Sequence, residues 1–314
     1  MNSSGEPDVD PLRLIVKPKL RALVPRHEQV IRPRLLEHLG GASNRRITLV
    51  SAPAGYGKTT LLAQWLQAGD AGLSIAWVSL DEQDNDPVRL WRHIVEALHP
   101  AAPEEDFGAD VLAGMSVTGR RLIETSLPML INGLAELPYQ VVVVLDDYQF
   151  VTEDDCHASV AFFVEHLPEN AHLVLSSRTD PPLPFGRWWA RGEMNEIRTE
   201  QLAFSEEEAD CLLNEKLWLD IGLDNLSVLL ERTEGWPAGI YLASLSLRMR
   251  EDKHAFIASF GGSNRYVVDL LGEEVLAGLR KDVRGSPYDF GTRKDDGLPL
   301  RRGRGQGGLG HAPA

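Results

Sequence analysis

Cysteine is nearly absent from this 314-residue chain: only Cys156 and Cys211 occur, far apart. A disulfide framework and a cysteine-rich zinc site are thereby excluded. Positive charge is short too, with 32 Lys and Arg against 46 Asp and Glu and a formal net charge of -14. Affinity for a phosphate backbone comes mainly from Lys and Arg, so a chain of this balance is a poor general nucleic-acid binder. No run of 18 apolar residues exists, so no segment is expected to span a membrane. The start, Met1 to Pro11, is polar and acidic and lacks the basic-then-apolar layout of a signal peptide, which makes the cytoplasm the expected compartment. The histidines His27, His93, His99, His157 and His166 are scattered without metal-ligand spacing, and Ser176-Ser177 has no nucleophile-elbow pattern.

What is present is an ordinary soluble composition, 43% hydrophobic and 25% charged, long enough for about two domains. Short apolar runs at 46–52, 74–80, 140–145, 172–176 and 196–199 read as strands. Helical patterns fall between them, at 34–39, 58–68, 87–99 and 119–137, the last kinked near Pro128. Residues 100–116 read as a loop. This alternation predicts an α/β fold, a P-loop-type parallel sheet with flanking helices. After Glu200 the pattern turns helical, opening with Ser205 as N-cap ahead of three glutamates. The expected organisation is a disordered leader (1–18), a nucleotide-binding domain (19–200), a small helical subdomain with the start of a winged helix (201–284) and a disordered tail (285–314).

The strongest chemical signal is Ala52-Pro53-Ala54-Gly55-Tyr56-Gly57-Lys58-Thr59-Thr60, with Ala52 where the first glycine of a P-loop usually stands. A strand precedes it and a helix follows, so main-chain N–H groups and a helix N-terminus would cradle phosphates. Lys58 would reach the β- and γ-phosphates, and Thr59 would offer its hydroxyl to Mg²⁺. Next is Val141-Val142-Val143-Val144-Leu145-Asp146-Asp147, a buried strand ending in acid. Asp146 would hold Mg²⁺ through water as a hard oxygen ligand. Asp147 either serves as the base that orients an attacking water or simply belongs to an Asp-rich turn. Third is the strand 172–177 followed by Arg178, read either as a γ-phosphate sensor or as one half of a surface ion pair.

Six segments extend the pattern: PAGYGKTTLLAQW (53–65), WVSLDEQDND (77–86), VVVVLDDYQ (141–149), LVLSSRTDPPLP (173–184), QLAFSEEEA (201–209) and GWPAGIYLASLSL (235–247). In this order they resemble the large ATP-dependent LuxR-family regulators of the maltose-regulon-activator type, members of the STAND class of signalling NTPases. The resemblance runs from about Lys19 to Arg284. It implies a switch rather than a metabolic enzyme, closed with ADP and opened by inducer and ATP to self-associate, with ATP hydrolysed slowly if at all. It also implies that the backbone of Val30-Ile31-Arg32 lies near the adenine, with Arg32 near the phosphates. Gly235-Trp236-Pro237 would match the family's Gly-x-Pro motif, with Pro237 on the base. By the residues alone, that tripeptide reads equally as a helix stop and restart. Asp81 to Asp86 reads as a polar loop capping the helix at Pro87, and Trp188-Trp189 as packing or a partner surface.

Eight of the 28 glycines lie between Gly285 and Ala314, in a stretch without helical or strand periodicity. Back-translating Tyr288 to Arg302 with permitted codons and shifting the frame by one base can spell TTSVLARMTASLCDA, a helical pattern like the family's continuation. A frameshift is one expectation for this tail; a basic tail for nucleic acid or acidic partners is the other, with four Arg and one Lys against three Asp. The resemblance further implies that the DNA-binding and sensor domains are missing here, so operator binding by this chain is not expected and the inducer is not named. A P-loop metabolic ATPase or kinase, and a non-functional gene fragment, are the competing readings.

Overall fold

The computed structural model describes residues 15–24, 29–41, 45–69, 73–101, 108, 111–112, 122–248, 250 and 252–260. The expected leader through Leu14, most of the loop at 100–116, the winged-helix entry and the tail at 285–314 lie outside them. The described residues all fall in one compact unit, Met1–Leu270.

Among the described residues, five strands form one sheet: β1 (Ile47–Ser51), β2 (Leu73–Ser79), β3 (Gln140–Asp146), β4 (Ala171–Ser177) and β5 (Met194–Ile197). The order is β2-β3-β4-β1-β5, with every pairing parallel. The three inner strands β3, β4 and β1 are buried almost end to end, whereas the edge strands β2 and β5 are part-exposed. That explains the unbroken Val141–Val144 run, since a strand covered on both faces has no solvent side to mark with polar residues.

Among the described residues, eleven α-helices accompany the sheet: α1 (Pro33–Gly40), α2 (Lys58–Ala68), α3 (Pro87–Ala101), α4 (Leu127–Ala135), α5 (Asp154–His166), α6 (Phe185–Ala190), α7 (Thr199–Leu202), α8 (Glu206–Asp210), α9 (Leu223–Thr233), α10 (Pro237–Leu247) and α11 (Lys253–Ser259). Alternate strand residues divide between two layers. Val141, Val143 and Leu145 pack with Trp91 and Ile94 of α3 and Phe163 of α5. Val142 and Val144 pack with Leu35 and Leu39 of α1 and Leu61, Leu62 and Trp65 of α2. A third core lies in the helical part, where Leu213, Leu226, Leu229, Ile240, Ala243 and Leu247 join Val30 from ahead of the first strand.

The kink expected near Pro128 is a π turn over Leu122–Ser126 that leads into α4. Proline lacks the N–H that would continue the helical ladder, and its ring crowds the carbonyl four residues earlier. Trp188 is fully buried while its neighbour Trp189 is exposed. Cys156 and Cys211 are free thiols.

The segment at 81–86 builds more than a helix cap. Asp86 Oδ1 does cap α3, accepting from the Arg89 N–H at 2.8 Å. Asp84, however, is wholly buried and pairs with Lys19 and, at 2.7 Å, with His93 Nδ1. Burial opposes its ionisation, but the His93 and Lys19 bonds overcome it and hold the carboxyl at about 2. Asn85 Oδ1 accepts from the N–H groups of Thr152 and Glu153 at 2.8 and 2.9 Å, joining this loop to the start of α5. Asp84→Asn removes the buried charge that Lys19 and His93 face, so unfolding stability should fall by about 3 kcal/mol, read from the urea midpoint. The folded-state value lies below the ordinary one near 4. The carboxylate's contribution is therefore complete above that ordinary value and lost as the pH falls toward 2. An unchanged midpoint at pH 7 would show that the cluster adds nothing.

Candidate functional site

The segment expected to be a phosphate loop joins β1 to α2. Gly55 and Gly57 have φ of +80° and +78°, the left-handed region that side chains avoid. This turns the chain sharply enough to put Lys58 at the first position of α2 with Gly57 as its N-cap. Lys58 Nζ donates to the carbonyls of Ala52 and Pro53 at 2.7 and 3.1 Å. Burial pulls its ammonium down to about 8, the Arg178 charge adding to the effect and the Asp147 and Asp146 carboxylates opposing it.

Thr59 Oγ1 donates to Asp146 Oδ2 at 2.8 Å, across 87 residues of sequence. Asp146 ends β3 and is 2% exposed. Burial is the main force raising its carboxyl, the Asp147 charge adds to it, and the Ser176 and Thr59 hydroxyls oppose it. A hydroxyl and a carboxylate thus meet at the head of α2, a hard-oxygen pair suited to Mg²⁺. No cluster of three or more His, Cys, Asp or Glu stands ready for a metal among the described residues, so any Mg²⁺ here would draw its other ligands from water and phosphate.

Strand β4 lies between β1 and β3. Its end therefore brings Ser177 and Arg178 between the phosphate loop and the acids of β3. The Ala52 N–H donates to the Ser177 carbonyl at 3.3 Å. The Arg178 N–H donates to Gln149 Oε1 at 3.1 Å, and Gln149 Nε2 donates to Asp147 Oδ1 at 2.8 Å.

A cavity of about 330 Å³ adjoins the loop. Val30, Arg32, Gly55, Tyr56, Gly57, Thr60 and Gln64 line it from the sheet side, and Phe204, Leu212, Pro237, Ala238 and Tyr241 from the helical side. Gln64 Nε2 donates to the Val30 carbonyl at 2.9 Å, tying α2 to the segment expected near a base. Arg32 also reaches this wall, yet its guanidinium is engaged elsewhere. Its Nη2 donates to the Leu202 and Ala203 carbonyls at 2.9 and 3.1 Å and pairs with Glu208 at 3.1 Å, and the group stacks over Phe204. Arg34 holds the same carboxylate with two bonds, 2.8 and 3.0 Å. These two arginines clamp the pre-strand segment to the helical part.

Gly235-Trp236-Pro237 is a helix stop and restart as well as part of the cavity wall. Glu234 and Gly235 take φ of +50° and +68°, ending α9, and Pro237 starts α10. The Trp236 indole N–H donates to the Ala54 carbonyl at 3.0 Å, and the Ala238 N–H to the Gly55 carbonyl at 3.1 Å. The helical part therefore bonds directly to the backbone of the phosphate loop. The sequence pattern puts Pro237 near this site but gives Trp236, Ala238, Gln64, Gln149 and Glu208 no role in it. Trp236 reaches across 182 residues to Ala54, and no local spacing signals such a partner.

The chain is 34% identical over 273 residues to the HTH-type transcriptional regulator MalT of Yersinia enterocolitica, across 86% of this chain and 30% of that protein. It is 35% identical over 263 residues to MalT of Vibrio parahaemolyticus, across 82% of this chain and 28% of that one. The chain belongs to the MalT-like family of LuxR-type regulators. It spans about 30% of the length of these relatives. No protein-family model matches it. Among solved structures, a STAND protein with a tetratricopeptide repeat sensor from Pyrococcus horikoshii aligns at TM-score 0.51 and 16% identity, over 74% of this chain and 31% of that one. A Walker-type ATPase of Pyrococcus abyssi aligns at TM-score 0.51 and 14% identity, over 85% and 79%. At such identities the likeness is one of fold, a P-loop ATPase sheet with flanking helices. Among the described residues no helix is long and apolar enough to cross a membrane.

Proposed function

We propose that this chain is the nucleotide-binding switch region of a STAND-class transcriptional regulator, taking ATP or ADP with Mg²⁺. The observation that carries it is the pair of hydrogen bonds from Trp236 and Ala238 to the carbonyls of Ala54 and Gly55. A metabolic kinase needs a phosphate loop and an acceptor pocket; it has no need of a helical module bonded to the loop's own backbone. A switch does, because a ligand shifts a two-state equilibrium only through contacts that differ between the states.

In this reading the base and ribose enter the cavity between Val30, Tyr56 and Gln64 on one side and Pro237 and Tyr241 on the other. The phosphates lie along residues 53–60, with Lys58 turning from the carbonyls of Ala52 and Pro53 to the β- and γ-oxygens. Thr59 and Asp146 would hold Mg²⁺, which would neutralise charge between the β- and γ-phosphates. Asp147 and Arg178 face the end of the loop as base and sensor, and turnover is slow. The helical part seals the base, and in the full-length regulator its movement would expose surfaces for self-association.

Calorimetric titration of the chain with ADP and with ATP, each with Mg²⁺, should give saturable 1:1 binding that weakens when Mg²⁺ is chelated. No heat at millimolar nucleotide would sink the proposal. Sedimentation with each nucleotide then tests the link to self-association.

A further inference from the structure

The turn after β3 carries a strained residue and an amide bridge. Asp147 sits at φ 59° and ψ 40°, left-handed without being glycine. That backbone costs an L-residue on the order of 1–2 kcal/mol, and it persists only where its surroundings enforce it. Here they do. The Phe150 N–H donates to the Asp147 carbonyl at 3.1 Å and the Val151 N–H to the Tyr148 carbonyl at 3.0 Å. Tyr148 is fully buried, with its hydroxyl 3.1 Å from His157 Nδ1. Asn85 pins Thr152 and Glu153 just beyond.

From this rigid turn Gln149 spans two strand ends. Its Nε2 donates to Asp147 Oδ1 at 2.8 Å and its Oε1 accepts from the Arg178 N–H at 3.1 Å. A main-chain N–H can only donate and an ionised carboxylate can only accept, so the amide has one orientation that satisfies both. Strands β3, β4 and β1 are consecutive neighbours in the sheet, so the turns carrying Asp147 and Arg178 leave it beside the loop that leads from β1 to Lys58 at the start of α2.

We propose that Gln149 is a positioning residue for ATP hydrolysis, holding the Asp147 carboxylate and the first main-chain N–H after β4 in register so that acid and sensor face the terminal phosphate together. This rests on the nucleotide reading above. In the step it serves, a water oxygen bonds to the γ-phosphorus and the bond from that phosphorus to the β,γ-bridging oxygen breaks. The electron pair stays on ADP, and the water's proton passes by way of Asp147 to the released phosphate. Only an uncharged amide of this length serves both ends. A carboxylate at 149 could still accept from Arg178 but would repel Asp147 instead of donating to it.

The test compares wild type, Gln149→Leu and Gln149→Glu in single-turnover hydrolysis of Mg²⁺-ATP, with ATP and ADP affinity measured in parallel. Turnover should fall about tenfold or more in both variants, while either dissociation constant moves less than about threefold. The near-isosteric Gln149→Glu guards against a Leu variant that fails to fold. Unchanged turnover in the Glu variant overturns the proposal, as does a parallel loss of affinity and turnover in both. A wild type that binds both nucleotides but hydrolyses no ATP also overturns it and leaves the switch reading standing. A wild type that binds neither nucleotide overturns the nucleotide reading itself.

Discussion

Lys58→Ala should weaken ATP and ADP binding about 100-fold or more, to below detection in an ordinary calorimetric titration. Bonds between an ammonium and phosphate oxygens are charge-assisted, worth about 1.5–3 kcal/mol each, and Lys58 is placed to make more than one. The residue is 7% exposed, so truncation also leaves a hole that water fills poorly. The pH dependence gives a second signature. Burial holds the ammonium at about 8 before phosphate arrives, and a polyanion beside it favours the charged form and raises that value. Binding above pH 8 must therefore take up a proton. Affinity should fall with rising pH by up to about tenfold per unit, and titration in buffers of different ionisation enthalpy at pH 9 should report uptake approaching one proton. Lys58→Ala should flatten whatever weak pH slope remains. An unchanged affinity in the variant would mean that residues 52–59 do not hold phosphate.

Gly55→Ala should be the second large effect, and Gly57→Ala its control. Both positions sit near φ +80°, so both variants bear a similar backbone penalty of about 1–2 kcal/mol. They differ in what surrounds the added carbon. At Gly57 nothing lies within 4 Å, whereas at Gly55 it would stand 2.6 Å from Ala238 Cβ and 2.7 Å from Trp236 Nε1. Those atoms belong to a helix start and a ring already wedged against Gly239, so neither can retreat freely. The loop and α10 must separate, which displaces the bonds from Trp236 and Ala238 to the loop carbonyls. We expect Gly55→Ala to lose about 1–3 kcal/mol more than Gly57→Ala in urea unfolding, the usual range for overpacking. The two losses would come out equal only if the helical part did not press on the phosphate loop.

Gly55 thus meets two demands, and they differ in how visible they are. The turn between strand and helix is written in Pro53–Thr59 itself, because glycine at the left-handed positions and lysine at the helix start are local requirements. Contact with Trp236 is not written there. The same holds for Arg32. A sequence match puts it near phosphates, while its guanidinium binds Leu202, Ala203 and Glu208 in the folded chain. The segment at 81–86 reads as a polar loop, yet Asp84 is a buried ion whose partner Lys19 lies 65 residues away.

The amino-acid sequence by itself determined the parallel α/β class, the glycine-rich strand-to-helix turn at 52–59, the acid-ended strand β3 and the N-cap at Ser205, all set by periodicity and by backbone preferences within a few residues. Only the tertiary structure decided that β4 lies between β1 and β3, that Thr59 meets Asp146, that Gln149 bridges Asp147 to Arg178, and that Trp236 and Ala238 grip the loop. The physical reason is range. A hydrophobic period says that a strand or helix is buried on a face, but which strand becomes its neighbour, and which side chain arrives from far along the chain, depends on how all the elements pack at once.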